Sequence, residues 1–170
     1  GANGIEQALA DKSIDVGIVL GAQLRPGLAG ISIIESPMMV LSHEHSAWRG
    51  RATIALSELQ HEPFLLYADT FTLNNLIVQA AHHAGFEPKV VCKSSQWEFM
   101  VKLVESNMGI ALLPQVFAEQ VGHLHIRQAK LVEPQINWHL SMAWNTTVAL
   151  SPAAQAWIDI IKAHRQHIHL

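Results

Sequence analysis

Apolar residues along this chain recur with two alternating periods. Ile5, Ala8 and Leu9 stand at helical spacing and predict a short first helix. Ile14 to Leu20 is a mainly apolar run between Asp11-Lys12-Ser13 and Gly21, the pattern of a buried strand. Arg25-Pro26-Gly27 is a turn signal. Ile31 to Ile34 and Pro37 to Ser42 read as extended, with Pro37 placing an edge or a bend at their junction. Phe64 to Tyr67 is a short apolar strand. Leu73, Leu76, Ile77, Ala80, Ala81 and Ala84 then form one face of a helix, closed by Gly85.

The alternation continues with a strand at Lys89 to Cys92. Ser95-Gln96-Trp97-Glu98 has the spacing of a capping box, ahead of a helix whose apolar face is Trp97, Met100, Val101 and Val104. Ile110 to Leu113 is a third strand, Pro114 suits a first helical turn, and Val116 to Val121 continues that helix. Leu124 to Ile126 reads as a fourth strand. Strand and helix thus alternate over Phe64 to Ile126, which predicts a parallel sheet with right-handed crossovers. Trp138, Leu140, Met142 and Trp144 alternate with His139, Ser141 and Ala143, a strand with one apolar face. Ser151-Pro152 starts a last helix with the face Ala153, Ala156, Trp157, Ile160, Ile161 and His164.

The alternation alone fixes where chemistry can lie. Sheets of this kind bind ligands beyond the carboxyl ends of their strands. Here those ends are Gly21 to Gln23, Ala68 to Thr72, Lys93 to Gln96, and Pro114. Two of these ends are followed directly by helix starts, whose free N–H groups favour carboxylate or phosphate. Thr70, Thr72, Ser94 and Ser95 place hydroxyls there. These residues suit a small polar or anionic ligand; they equally suit plain helix caps, which use the same geometry.

Composition narrows the class. With 49% hydrophobic and 15% charged residues among 170, the chain can bury enough apolar surface to order itself. Eleven Lys and Arg against 14 Asp and Glu leave a charge of −3, so no broad electrostatic grip on nucleic acid is expected from these residues. The single cysteine, Cys92, excludes an internal disulfide framework; it reads as a small hydrophobe near the strand tips. The longest apolar runs are too short to span a bilayer, and no signal peptide is visible. The chain starts without Met in Gly-Ala-Asn-Gly, which suggests a fragment.

Catalytic motifs are absent: no Gly-x-Ser-x-Gly, no Walker loop, no Gly-x-Gly-x-x-Gly. Eleven histidines include the pairs His43-x-His45, His82-His83 and His123-x-His125, but no acidic or cysteine partner stands at a recognised metal spacing. No metal, cofactor or enzymatic activity is expected. Asp69 and Glu98 are the carboxylates nearest the strand tips, and Glu98 is accounted for as a capping partner.

Several segments, in order, resemble the C-terminal effector-binding domain of LysR-type transcriptional regulators. They are Glu6-x-x-Leu9 with Ile14-Asp15-Val16-Gly17-Ile18, Ile54-x-Leu56-x-x-Leu59-x-x-Glu62-Pro63-Phe64, and Ala84-Gly85-Phe86-x-Pro88. Leu103-Val104 with Met108-Gly109-Ile110-Ala111-Leu112-Leu113-Pro114, and Trp144 to Trp157 with Ser151-Pro152-Ala153-Ala154, complete the set. Asn107 stands where the family often has Gly, and Gly1-Ala2 where it sometimes has a pocket hydroxyl.

The resemblance implies an α/β, two-lobed, type 2 periplasmic-binding-protein-like fold: mostly parallel sheets, helices on both faces, two crossover strands. Lobe I would comprise 1–41 and 145–170, lacking its first strand and helix, and lobe II 42–144. A small effector, expected to be a carboxylate, would bind in the cleft. The implied pocket positions are Ala2, Ala22, Gln23, Thr70, Thr72, Leu73, Ser94, Ser95, Gln96 and Pro114. The resemblance further implies self-association as a dimer or tetramer, a cytoplasmic location without membrane contact, and DNA binding only through an N-terminal winged helix-turn-helix outside this chain. A transporter's solute-binding protein, which shares the fold, is the alternative.

Overall fold

The computed structural model describes residues 2–21 and 24–164. In chain order the elements are α1 (Ala2–Ala10), β1 (Val16–Leu20), β2 (Leu28–His43), β3 (Thr53–Ala55), β4 (Pro63–Tyr67), α2 (Thr72–His83) and β5 (Lys89–Ser94). There follow α3 (Trp97–Glu105), β6 (Ile110–Pro114), α4 (Gln115–Ala118), β7 (Ile126–Val132), β8 (Asn137–Asn145) and α5 (Pro152–His164). They form two compact units. One holds the residues up to Glu35 and from Trp138; the other is Ser36–Asn137. The chain passes between the units within β2, at Glu35–Ser36, and within β8, at Asn137–Trp138.

In the first unit β1 runs antiparallel to β8, from Val16↔Trp144 to Leu20↔Leu140, and β8 neighbours β2. Its core is small: Leu9, Val19 and Ala143 are buried, with Ile5, Leu24 and Leu28 packed against them. The last helix buries a stripe one residue away from the expected one. Ala154 and Ile158 are buried, whereas Trp157 and Ile160 are more than half exposed. The exposed stripe borders an open groove of about 330 Å³ lined by Val16, Gly17, Ile18, Met142, Trp157 and Ile161. The other edge of β1 carries no strand among the described residues.

In the second unit the strand order is β3-β7-β2-β6-β4-β5. The parallel sheet predicted from alternation is β6-β4-β5, with Phe64↔Ile110 on one side of β4 and Tyr67↔Ser94 on the other. β2 joins it antiparallel through Met38↔Pro114, and pairs antiparallel with β7 along its other edge. Two expectations are corrected here. Residues 28–43 form one continuous strand, because the registered pairs with β6 and β7 begin after Pro37, where its missing N–H removes no bond. The fourth strand begins at Ile126, not Leu124, whose N–H closes a turn onto Val121.

Strands β4 and β6 are buried almost throughout, and Ile77, Ala81, Met100, Val101 and Val104 cover them from the helices. Each large side chain so enclosed stabilises the unit by roughly 1.5–3 kcal/mol. Gly109 sets the closeness of this packing: a Cβ there would lie 2.6 Å from the carbonyl oxygen of Pro63.

Three helices end alike. In α1, α2 and α3 the residue after the cap (Lys12, Gly85 and Asn107) has a left-handed φ of 62°, 90° and 57°. Its N–H bonds back to Leu9, His82 or Val104, and the next N–H reaches Ala8, Ala81 or Leu103. This six-to-one and five-to-two pair closes orphan carbonyls and requires positive φ at one position. Asn107 therefore replaces glycine with the residue that best tolerates that conformation, while Lys12 holds it at a cost of about 1 kcal/mol. Lys12→Gly is expected to raise stability by about 1 kcal/mol in urea unfolding, and Asn107→Gly by only a few tenths. Equal effects, or a loss for Lys12→Gly, contradict this account.

Glu58, in the 3-10 turn Leu56–Leu59, accepts the Ala55 N–H at 2.9 Å and pairs with Arg51 at 3.0 Å. The backbone bond first, and the guanidinium second, lower its carboxyl below the ordinary 4.5. The folded form is favoured above that pH, and the benefit fades as pH falls through the lowered value. Glu58→Gln should therefore lower the melting temperature at pH 7, the gap closing as pH drops well below about 4.5. A gap unchanged at low pH rules the mechanism out.

Candidate functional site

Parallel strands bring chemistry to one edge of the second unit. β4, β5 and β6 all end at the same side of the sheet. The Ala68 N–H donates to the Ser94 carbonyl at 3.0 Å, tying the end of β4 to the end of β5. Helix α2 starts at Thr72 and α3 at Trp97, so two helix starts stand side by side. Their first-turn N–H groups have no intrahelical acceptor, and the N–H of Asn74 is turned back onto the Phe71 carbonyl at 3.1 Å.

The hydroxyls at this edge behave differently from one another. Ser94 Oγ accepts the Gln96 N–H at 3.0 Å and shapes the turn into α3. The N-cap of α3 is Gln96, with no side-chain cap bond, so the capping box expected of Ser95 and Glu98 does not form. Phe71 is the N-cap of α2, again without a side-chain bond. Among the described residues the hydroxyls of Thr70, Thr72 and Ser95 have no hydrogen-bond partner. Capping, the plain reading of these three, is thus not what holds them. Thr72 is half-buried; Thr70, Ser95 and Gln96 are exposed.

Leu73 and Pro114 differ from the polar set. Both side chains are buried. Leu73 contributes only its N–H to the edge, and Pro114 closes β6 opposite Met38. Ala2 is the first residue of α1, and Ala22 and Gln23 lie outside the described residues.

Several contributors escape sequence reasoning. Trp97 stacks on Phe117 with ring centroids 5.4 Å apart, joining the start of α3 to α4. Tyr67 stacks on Phe71 and donates its hydroxyl to the Leu112 carbonyl at 3.1 Å. Burial pushes its phenol far above the usual range, so it is a neutral donor. Buried Ser36 accepts the Val116 N–H at 3.3 Å, holding α4 beside the end of β6. Lys93 pairs with Asp69 at 2.5 Å, and Asp69 also accepts from the Asn74 amide at 3.3 Å. The nearest cation of the edge, Lys93, is thus paired, which leaves amides and hydroxyls as its unpartnered polar groups.

The first unit carries a smaller polar group at the end of β1. The Gly21 N–H donates to the His139 carbonyl at 2.8 Å, and Ser141 donates to the Gly21 carbonyl at 3.4 Å. His139 Nε2 lies 2.8 Å from Ser32 Oγ and 3.4 Å from Ser141 Oγ. The alternation in β8 marked these side chains as the polar face; their association with Ser32 depends on strand pairing that a linear pattern does not reveal.

Three other histidines serve local structure. His83 Nδ1 bonds the Gln79 carbonyl at 2.8 Å, His82 pairs with Glu87, and His125 with Glu44. Among the described residues no group of three or more His, Cys, Asp or Glu side chains is arranged to hold a metal ion. Among the described residues no helix is long and apolar enough to cross a membrane.

Comparison with known proteins follows the same lines. Residues 1–166 match the model of the LysR substrate binding domain. YwbI, an HTH-type transcriptional regulator of Bacillus subtilis (strain 168), is 30% identical over 160 residues, covering 94% of this chain and 53% of its own length. This chain thus spans about half of that relative. Among solved structures, the effector binding domain of QuiR in complex with shikimate superimposes with a TM-score of 0.80 at 21% identity, covering 100% of this chain and 81% of that one. The BenM effector binding domain with its effector benzoate gives 0.78 at 18%, covering 98% and 76%. These two establish the shared periplasmic-binding-protein-like fold. With the family model spanning nearly its whole length, the chain belongs to the LysR substrate binding domain family.

Proposed function

We propose that this chain is the effector-sensing part of a LysR-type transcriptional regulator, and that the α2 and α3 edge of the second unit binds a small carboxylate. The observation that carries the reading is the pair of adjacent helix starts with unpartnered hydroxyls at Thr72 and Ser95. Amides and hydroxyls so placed offer several charge-assisted hydrogen bonds to one anion. Gln96 and the Leu73 N–H complete the polar set, and Trp97 on Phe117 supplies an apolar wall. The shikimate and benzoate bound by QuiR and BenM are small carboxylates, which supports that ligand class. DNA binding is assigned to a winged helix-turn-helix elsewhere in the full protein, acting in the cytoplasm. The effector would act by differential affinity for two arrangements of the domain or its assembly, worth one to a few kcal/mol.

Two exposed apolar surfaces fit a larger assembly. The open edge of β1 and the groove beside Trp157 suit the part of lobe I that the family resemblance assigns outside these residues. The outer edge of β5, with Val90 and Val91 more than a third exposed, together with Leu76 on α2, suits self-association. Relatives named as transcriptional regulators favour this reading over a transport protein.

A thermal-shift panel of shikimate, benzoate and related small carboxylates tests the site. At least one is expected to raise the melting temperature; saturation a hundredfold above Kd adds about 2.7 kcal/mol. Thr72→Val keeps the shape and removes the hydroxyl, and should weaken that ligand about tenfold, or about 1.4 kcal/mol, without lowering the unliganded melting temperature. Unchanged affinity removes Thr72 from the site.

A further inference from the structure

We propose that a pocket at the amino ends of β4 and β6 binds a small primary ammonium ion, with Glu62 as its counter-charge and the hydroxyls of Ser42 and Ser46 as further acceptors. The pocket measures about 190 Å³ and lies wholly within the second unit. Pro63 and Ile110, the first residues of two parallel strands, line it, together with Ser42 near the end of β2 and Trp48 in the loop that follows. The α2 and α3 edge stands at the other end of the same strands, roughly 13 Å away along the five residues of β4. The pocket is thus separate from the carboxylate site, and its ligand carries the opposite charge.

Glu62 carries the argument. It is half-buried, and its Oε1 accepts the Trp48 indole N–H at 3.1 Å. No cation pairs with it among the described residues. The guanidinium of Arg51 stands 5.9 Å from the Trp48 ring, but two bonds of 3.0 and 3.1 Å hold it on Glu58. A carboxylate drawn partly out of water, with one neutral donor as its partner, gains most from a cation brought to it. The indole of Trp48 lines the same pocket, and an aromatic ring attracts an ammonium ion.

The serines supply the remaining acceptors. The Trp48 backbone N–H donates to Ser46 Oγ at 3.3 Å, and Ser46 donates to Ser42 Oγ at 2.9 Å. Ser42 is only 2% exposed. Each serine oxygen has taken one donor and keeps one lone pair. The Ser42 proton has no acceptor among the described residues, and a hydroxyl rotates to suit its partner, so this oxygen is open to a donor. Glu62 Oε2 and the two serine lone pairs make three acceptors, which match the three N–H donors of a primary ammonium. An alcohol offers one donor and no charge, and a carboxylate brings the wrong charge. His43 also lines the pocket; its Nδ1 accepts the His45 N–H at 3.2 Å, which leaves the proton of the neutral ring on Nε2. Among the described residues no three His, Cys, Asp or Glu side chains are arranged to hold a metal ion, so the counter-charge calls for an organic cation. At roughly 30 Å³ for each water-sized group the volume admits about six, the size of a short alkylammonium.

The Trp48 indole N–H resonance of labelled protein, identified by its loss in Trp48→Phe, reads the binding. Titrations at constant ionic strength and pH 8 keep alkylamines charged and imidazoles neutral. Propylammonium should shift the resonance saturably, and 1-propanol and propanoate, of the same size, should bind at least tenfold more weakly. Glu62→Gln keeps an acceptor for the indole and removes the charge; it should weaken propylammonium at least tenfold. Glu119→Gln removes the same charge elsewhere in the unit and should change the affinity less than twofold. Ser42→Ala leaves the carboxylate in place, should weaken binding threefold or more, and decides the matter if Glu62→Gln fails to fold. Shifts that stay linear with concentration, 1-propanol binding as well as propylammonium, or unchanged affinity in either pocket variant overturn the proposal. Each of these results leaves the carboxylate reading of the α2 and α3 edge standing.

Discussion

A parallel strand cannot be reached by a tight turn, and the second unit is built around that constraint. To lay β5 and β6 beside β4 in the same direction, the chain must travel back across the sheet each time, and it does so through α2 and α3. Both returning helices therefore start at the same edge, and their unsatisfied amides gather there. Apolar burial of β4 and β6 fixes the strands, and the close approach at Gly109 fixes their spacing. The chemistry of the edge is a consequence of topology, decorated by Thr70, Thr72, Ser95 and Gln96.

The first unit achieves polarity differently. Its described strands are antiparallel where registered, so no helix start is forced to its strand tips. Instead, polar side chains of β2 and β8 meet beside Gly21. Its core is slight and leaves Trp157, Ile160 and Ile18 substantially exposed. An apolar surface of that kind beside an unpaired strand edge is costly in water, which is why it suits further protein better than solvent.

The central strands and helices were legible in the sequence because their two periods alternate cleanly. From Phe64 to Leu113 each apolar run or stripe corresponds to an observed strand or helix face. Reading failed where local signals competed with pairing. Pro37 suggested a break, yet it stands just before the registered ladder and interrupts nothing. Ser95 and Glu98 had capping spacing, but the helix starts one residue later and Ser94 shapes the turn. In α5 an apolar residue occupies nearly every position between Trp157 and Ile161, so periodicity did not choose the buried side. The candidate residues at the starts of α2 and α3 were chosen from strand ends alone, whereas burial of Leu73 and Pro114, the stacking of Trp97 on Phe117, and the Ser32–His139 contact are tertiary facts. Asn107 shows the reverse: a departure from the family pattern explained once its positive φ is seen.

Backbone amide shifts in a labelled sample titrated with shikimate or benzoate test the central claim most directly. Saturable perturbations are expected to concentrate on Thr72, Leu73, Ser95, Gln96 and Trp97, where free amides face the ligand. Saturable binding whose largest shifts fall elsewhere in the second unit, for example around Ser46, Trp48 and Glu62 at the opposite end of the strands, would contradict it.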